Sequence, residues 1–371
     1  MRSLLDRWRH RLKQIRPLRR AYRALYSAYW SGRTRVLETA RTLRFPFTVR
    51  HLHGPPDVSA GATDLIVVCL VRDGASYVEE FIDHYRTLGA RHLVFLDNGS
   101  TDDTIPLIRA HDRTTVLASD ADFGTYNPIM RRYLISRYGA DNWVLCVDID
   151  EFFDYPYSDR VGLDEFLSYL NEHEYNAVAL QMLDMLPGTP LSALDDAQSI
   201  RAAHPYYDVS NVTTYDYASN PWLHGNDIDN PDLQTHRGGV RQALFDLRPE
   251  RPLLTKHMLL RLTRGLRARD VRTHHIDNAF IADVSCVLYH YKFHTGFREY
   301  ARRVVREGTH SNDSEEYRAY LNALQNGGVT LKTDNMRRLE APDELVDQGF
   351  LSVSEQYAEH VRRAADGRRS L

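Results

Sequence analysis

Apolar runs of strand length alternate with helical segments through the first half of the chain. The runs with strand character cover residues 64–71, 92–96, 115–118 and 143–147. Between them, residues 77–88 and 127–138 repeat apolar positions at helical spacing, and Gly89 and Gly139 follow as stop signals. This alternation, with short connections, predicts an α/β fold with a doubly wound, mostly parallel sheet and helices on both faces. Ligands of such sheets bind beyond the carboxyl ends of the strands.

The pattern is looser in the second half. A helix is predicted at 163–175, strands at 176–182, 252–260 and 283–293, and two charged helices at 295–325, whereas 187–252 has no sustained period. We therefore predict a basic arm (1–58), one α/β domain (59–295) and a C-terminal helical extension (296–371).

The N-terminal arm is strongly basic. Residues 1–50 hold 14 Lys and Arg against two acidic residues, a net charge of +12, and the remaining 321 residues have a net charge of −15. Apolar residues between Leu4 and Trp30 recur three or four positions apart, as in an amphipathic helix, with an interruption near Pro17. Such Arg-rich helices commonly lie on anionic membranes; the alternative is a helix packed on its own domain. Without a recognisable nucleic-acid-binding module, we expect no nucleic acid as partner.

The cellular compartment is predicted from three features: the lack of a membrane-spanning run, the lack of a secretory signal, and the positions of the cysteines. No apolar run approaches the roughly 18 residues of a membrane span, and residues 1–20 do not resemble a secretory signal. Cys69, Cys146 and Cys286 are far apart and lie in apolar runs, which favours buried free thiols in a reducing compartment. We predict a cytoplasmic protein, held by its arm at the inner face of the membrane.

Three carboxylates follow the fourth apolar run. Asp148 and Asp150 are two positions apart, so both can project to one side of an extended chain, and Glu151 comes next. Two converging carboxylates favour a hard divalent cation, with substrate phosphates completing its shell. The alternative is a solvated acidic turn.

Two motifs resemble known enzymes. Residues 94–104 (VFLDNGSTDDT) closely resemble the "DDGSTDGT" turn of family 2 glycosyltransferases, and the DIDEF sequence of residues 148–152 follows about 50 residues later. With the later His290-Tyr291-Lys292, the chain resembles the bacterial branch related to glycosyltransferase family 92. The resemblance implies a GT-A fold. It is strong over residues 62–185 and weaker from there to about residue 295.

The resemblance also implies residue roles. Asp150 would bind Mn²⁺ or Mg²⁺ directly, and Asp148 would meet the ribose or the metal through water. Asp97 and Asn98 would hold the base and ribose, although the common motif has Asp where this chain has Asn98. Arg72 and Asp73 would contact the nucleotide; for Arg72 a structural ion pair is the alternative.

Residues near the end of the domain complete the predicted site. In an extended segment 286–294, His290 and Lys292 share one face; we predict His290 as a metal or phosphate residue and Lys292 as a phosphate partner, against a plain surface strand. A general base is needed for inverting transfer, and the candidates are Asp184 and Glu151, the latter with a structural role as alternative. The Gly-rich basic loop 236–241 could close over donor or acceptor.

The combined prediction is a metal-dependent, inverting glycosyltransferase. It would use a nucleotide-sugar donor, most simply a UDP-sugar, and a glycan or lipid-linked acceptor of a cell-envelope polysaccharide or glycolipid. One alternative is a haloacid-dehalogenase-like phosphotransferase, although Phe152 stands where that chemistry wants Thr or Val. The other is a catalytically inactive scaffold at the membrane surface.

Overall fold

The computed structural model of the protein describes residues 37–140, 142–194, 199–220, 223, 225–245, 247, 252–294, 296–308, 314–325 and 331–369. The chain divides into two compact units at Thr48/Val49. In the first unit, residues 37–44 are helical and Phe45–Thr48 form a 3₁₀ turn. The predicted amphipathic stretch from Leu4 to Trp30 lies outside the described residues. The second unit holds both the predicted domain and the C-terminal extension.

The second unit is built on one mixed sheet, ten-stranded in the described part of the chain. Its strands are β1 Arg50–His53, β2 Leu65–Val71, β3 His92–Asp97, β4 Thr114–Ala118, β5 Trp143–Asp148, β6 Glu151–Asp154, β7 Ala177–Asp184, β10 Asp227–Ile228, β12 Thr255–Leu260 and β15 Phe280–His290. Three two-stranded sheets pair β8 (Tyr206–Tyr207) with β16 (Arg337–Arg338), β9 (Val212–Asp216) with β11 (Gln234–Gly238), and β13 (Val271–Arg272) with β14 (His275–Ile276).

Strand direction explains where the large sheet can bind a ligand. Its order is β1-β4-β3-β2-β5-β12-β7-β15-β10, and β6 also pairs with β15. Strands β2 to β5 are parallel, as are β7, β15 and β10. Strand β12 is antiparallel to both β5 and β7, so the two parallel groups point the same way. The sheet is therefore mostly parallel, as predicted, and the amino end of β12 lies at the edge where the parallel strands end.

The helices are α1 Ala75–Leu88, α2 Thr104–Arg109, α3 Phe123–Tyr138, α4 Leu163–Glu172, α5 Ile200–Ala203, α6 Val240–Phe245, α7 Phe297–Glu307, α8 Glu315–Gln325, α9 Asp343–Asp347 and α10 Glu355–Arg369. Helix α1 ends at Gly89, which adopts a left-handed φ of 105°. Helix α3 begins four residues earlier than predicted, because Asp122 caps it by accepting a hydrogen bond from the Thr125 amide. Among the described residues, no helix combines the length and apolar character needed to cross a bilayer.

Burial explains why the first strands were recognisable. Every residue of β2, β3 and β4 is buried, as expected for strands covered on both faces. The three cysteines are buried and free, as predicted. Strand β6 was not predicted: the chain turns back after Asp150, and Glu151–Asp154 pairs antiparallel with β15. Asp148, Asp150 and Glu151 thus lie at the bend between two strands.

Candidate functional site

A cavity of about 960 Å³ opens at the edge where the parallel strands end. Its wall includes the turn after β2, the bend between β5 and β6, the first turns of α3, the start of β12, the end of β15 and one side of α7. Charged and histidine residues make up about half of the lining: Arg72, Asp73, Arg131, Asp148, Asp150, Glu151, Arg241, Lys256, His274, His290, Lys292, His294, Glu299, Arg303 and Arg306. Basic residues outnumber acidic ones, so the cavity suits an anionic ligand.

Asp148 is held by two cations. Its Oδ1 lies 2.5 Å from Nη2 of Arg131, on α3, and its Oδ2 lies 3.8 Å from Nζ of Lys256, the second residue of β12. Burial by itself would raise the pKa of Asp148, but Arg131 and Lys256 outweigh it and hold the pKa below its usual value. Asp148 is therefore ionised and largely neutralised by protein groups.

Glu151 braces the bend. Its side chain is 2% exposed, Oε1 forms an ion pair with Lys256, and Oε2 accepts a hydrogen bond from the Asp148 amide at 3.2 Å. Both oxygens are thus engaged inside the protein. This arrangement supports the structural alternative for Glu151, since a general base needs a free lone pair toward the acceptor.

Asp150, His290 and Asp184 form a chain of side-chain contacts. Nε2 of His290 lies 3.3 Å from Oδ2 of Asp150, and Nδ1 lies 2.6 Å from Oδ1 of Asp184. Strands β7 and β15 are parallel with His290 opposite Asp184, and this register creates the second contact. Burial would raise the pKa of Asp150, but His290, followed by Lys292 and Lys256, lowers it below its usual value.

The chain of side-chain contacts continues from Asp184 to Arg241 and Glu316. The other oxygen of Asp184 lies 2.7 Å from Nε of Arg241, whose Nη1 lies 2.9 Å from Glu316 on α8. Despite burial, Arg241 and His290 lower the pKa of Asp184 to about 2. Asp184 is in the described part of the chain but is not among the residues that line the cavity. A weakly basic carboxylate whose two oxygens are held by Arg241 and His290 is unsuited to the predicted role of general base, and its contact with Nδ1 instead suits positioning of His290.

The turn after β2 contacts α7. Asp73 has a φ of 50°, and its side chain accepts hydrogen bonds from the amide and hydroxyl of Thr101 and forms a 2.6 Å ion pair with Arg303. Arg72 lies 3.9 Å from Glu307 at the end of the same helix. Both residues line the cavity, as their predicted nucleotide contact requires. The contact between Arg72 and Glu307 also supports the alternative, in which Arg72 forms a structural ion pair.

Lys292 also lies in the cavity wall. Its Nζ donates a hydrogen bond to the Tyr317 hydroxyl at 3.0 Å and lies 4.7 Å from the centre of the same ring. Helix α8 therefore supplies the aromatic partner that orients this ammonium group.

The side chains of Asp97 and Asn98 contact neighbouring backbone groups and do not line the cavity. Asp97 accepts hydrogen bonds from the amides of Gly99 and Ser100, and the Asn98 amide donates to the carbonyls of Ser119 and Ala121. Both residues are described and buried, and neither is among the residues lining the cavity. Their side chains shape the turn after β3; the predicted contact with base and ribose stays a prediction.

Arg131, Lys256 and Arg303 were not predicted. Lys256 had a signal: a lone lysine in the apolar run TKHMLL suggests a buried partner. Arg131 and Arg303 lie among several arginines of helical segments, and the sequence does not indicate which of them faces the sheet. The segment 236–241, predicted as a loop, is instead the end of β11 and the start of α6 with Gly239 between them; Arg241, in the first turn of α6, lines the cavity.

Few side chains of the site could bind a metal ion. No group of three or more His, Cys, Asp or Glu side chains suited to a metal ion occurs among the described residues. Asp150 and His290 offer two ligand atoms 3.3 Å apart, both in the cavity wall, and Asp184 supports the histidine from behind. Two protein ligands suit an ion that takes its other ligands from phosphate and water. Asp148, held by Arg131 and Lys256, fits the direct ligand role less well.

Comparison with known proteins gives no independent identification. No model of a known protein family matches this chain, and no curated protein sequence is similar enough to match it.

Proposed function

We propose that the protein is a metal-dependent glycosyltransferase that takes a sugar from a nucleotide-sugar donor. The observation that carries the proposal is the pair Asp150 and His290, side by side in a mainly basic cavity at the carboxyl edge of the sheet. The order of α/β elements and the two sequence motifs support a GT-A type of fold. A cytoplasmic location and a glycan or lipid-linked acceptor belong to the same proposal.

The charges suit a diphosphate leaving group. Asp150 and His290 would hold Mn²⁺ or Mg²⁺, which supplies Lewis-acid neutralisation of charge on the departing diphosphate. Lys292 and Arg303 add positive charge on the α7–α8 side of the cavity, and Arg131 and Lys256 hold the Asp148–Glu151 bend in place. Preorganised charges of this kind stabilise a transition state without reorganising.

Asp184 acts on His290 in this scheme. An ionised Asp184 accepts a hydrogen bond from Nδ1–H, which leaves the Nε2 lone pair directed toward the Asp150 side of the cavity. Arg241 and Glu316 keep that carboxylate ionised and fixed. The role proposed for Asp184 is therefore to position a metal-binding histidine.

A thermal-shift screen tests the proposal. The protein is melted with UDP-, GDP- and other nucleotide sugars, with and without Mn²⁺. A ligand at 100 times its Kd stabilises the folded state by about 2.7 kcal/mol. We expect one donor class to raise Tm only with Mn²⁺, and Asp150→Ala to lose that response.

Asp120→Ala is the matched control, because Asp120 is exposed and pairs with Arg50 away from the cavity wall. It should respond as the wild type does. The proposal fails if no nucleotide sugar raises Tm, or if Asp150→Ala responds equally. Hydrolysis of a phosphomonoester in place of a sugar nucleotide would indicate the phosphotransferase alternative.

A further inference from the structure

The first compact unit exposes apolar side chains next to basic ones. Leu37, Leu43 and Phe47 are 47%, 69% and 88% exposed, and they are the large hydrophobic residues that stand exposed among the described residues. All three lie within eleven consecutive positions. Exposed apolar residues clustered in one segment mark a surface that binds something, whereas scattered ones do not.

The charge of this segment suggests what it binds. Arg41 and Arg44 are exposed between the apolar residues. The 36 residues that precede the segment hold 11 Lys and Arg against one acidic residue, with Trp8 and Trp30 among them. Arginine interspersed with tryptophan and leucine matches the interface of an anionic bilayer, where the charge meets lipid headgroups and the apolar groups enter the acyl boundary.

We infer that residues 37–48 form a membrane-docking surface for anionic lipid, with Leu43 and Phe47 as its apolar anchors. The 1–36 sequence adds the positive charge that draws the protein to such a surface. Two kinds of contact are needed together, because a few exposed apolar groups or charge alone give weak and reversible binding. This inference does not depend on the proposed transfer reaction.

Vesicle sedimentation with the full chain tests it. The vesicles contain phosphatidylcholine alone or with 30% phosphatidylserine, in 100 mM salt. We expect the wild type to sediment with the anionic vesicles and to remain largely in solution with the neutral ones. Leu43→Glu/Phe47→Glu should weaken binding to the anionic vesicles at least tenfold.

Ser59→Glu/Ala62→Glu is the matched control, because it adds the same two charges at exposed positions of the second unit. It should bind anionic vesicles within twofold of the wild type. Unchanged Tm in both variants shows that they fold.

Three results would overturn the inference. The first is a wild-type chain that stays in solution with both kinds of vesicle. The second is an equal loss in both double variants, which would mean that net charge alone decides. The third is concentration-dependent self-association, without lipid, that disappears in Leu43→Glu/Phe47→Glu, which would assign the surface to a second copy of the chain.

Discussion

Asp148 and Asp150 are two positions apart, yet their surroundings differ. Asp148 is held by Arg131 and Lys256, whereas Asp150 contacts His290 in the cavity wall. The sequence treats them as a pair because both follow the same strand. Only the positions of α3 and β12 separate their roles, because those elements bring in the two cations.

Replacing Asp184 tests the positioning role. Asp184→Asn keeps the size of the side chain but removes the charge that holds the Nδ1 proton of His290. We expect the apparent Kd for Mn²⁺, measured by the Mn²⁺-dependent rise in Tm with the donor present, to weaken about 10- to 100-fold. Glu316→Gln, two contacts beyond Asp184, should weaken it less. An unchanged Kd in Asp184→Asn, or a complete loss of activity with normal Mn²⁺ affinity, would contradict positioning and return Asp184 to the role of base.

The buried pair Lys256–Glu151 gives a stability prediction. Lys256→Met leaves Glu151 and part of Asp148 without a cation inside the protein, so the free energy of unfolding should fall by about 3–5 kcal/mol. Lys256→Met/Glu151→Gln removes the buried charge as well and should recover a large part of the loss. Urea denaturation measures both. Equal losses in the single and double variants would mean that the lysine acts through packing alone.

At the scale of elements, α3 connects folding to the site. It carries Arg131 to Asp148, and Gly139 ends it against β5. A Cβ at Gly139 would lie 2.7 Å from the Ile135 carbonyl oxygen and 2.8 Å from Cγ1 of Val144. This glycine is required by close packing between helix and sheet, since its φ of −101° is open to any residue.

Two glycine substitutions, one within α3 and one just after it, should therefore have different effects on the free energy of unfolding. Gly139→Ala should lower the free energy of unfolding by about 1–3 kcal/mol, because helix and strand must move apart. Gly124→Ala, in the first turn of the same helix, meets only Oδ2 of Asp122 at 3.7 Å and should be neutral or slightly stabilising. Urea denaturation of both variants measures the contrast; similar effects would show that helix propensity decides at both positions.

Helices α7 and α8 complete the cavity from beyond the predicted domain. Arg303 reaches Asp73, Tyr317 orients Lys292, and Glu316 holds Arg241. Through α7 and α8, the predicted C-terminal extension therefore contributes to the candidate site. The sequence indicated two charged helices here, but it did not indicate which residues they contact.

At the scale of the whole molecule, buried neutral histidines should make stability depend on pH. Burial lowers the pKa of His84 to about 4 and that of His257 to about 3, from an ordinary value of 6.5. Between pH 6.5 and the lowered value the unfolded chain binds the additional proton, so the folded state loses stability as pH falls through this range. The buried Asp184, with its pKa of about 2, loses its contribution only below its ordinary value of 3.8.

We expect each of these two histidines to cost about 2 kcal/mol of unfolding free energy between pH 7.5 and pH 5. Urea denaturation at several pH values measures the slope. His84→Gln can still donate a hydrogen bond to the Phe153 carbonyl but does not titrate, so it should flatten the slope by about one histidine's share. A stability that is level from pH 7.5 to 5 would contradict the prediction.

The sequence alone determined the α/β class, strands β2 to β5 and the helices between them, because local apolar periodicity and turn residues specify these elements. It also singled out Asp150, just after a predicted strand, as a candidate metal ligand, and the family resemblance added His290. Strand β6 stayed hidden because Glu151–Asp154 is only four residues long, too short to show a period of its own.

Only the tertiary structure decided what each charge does. Arg131, Lys256, Arg241 and Arg303 come from separate segments, and their partners are fixed by the register of β12 and the packing of α3, α6 and α7. The register of β7 against β15 placed Asp184 behind His290 and outside the cavity wall. Charge pairing between distant segments leaves no periodic trace along a chain, whereas burial of a strand or a helix face does.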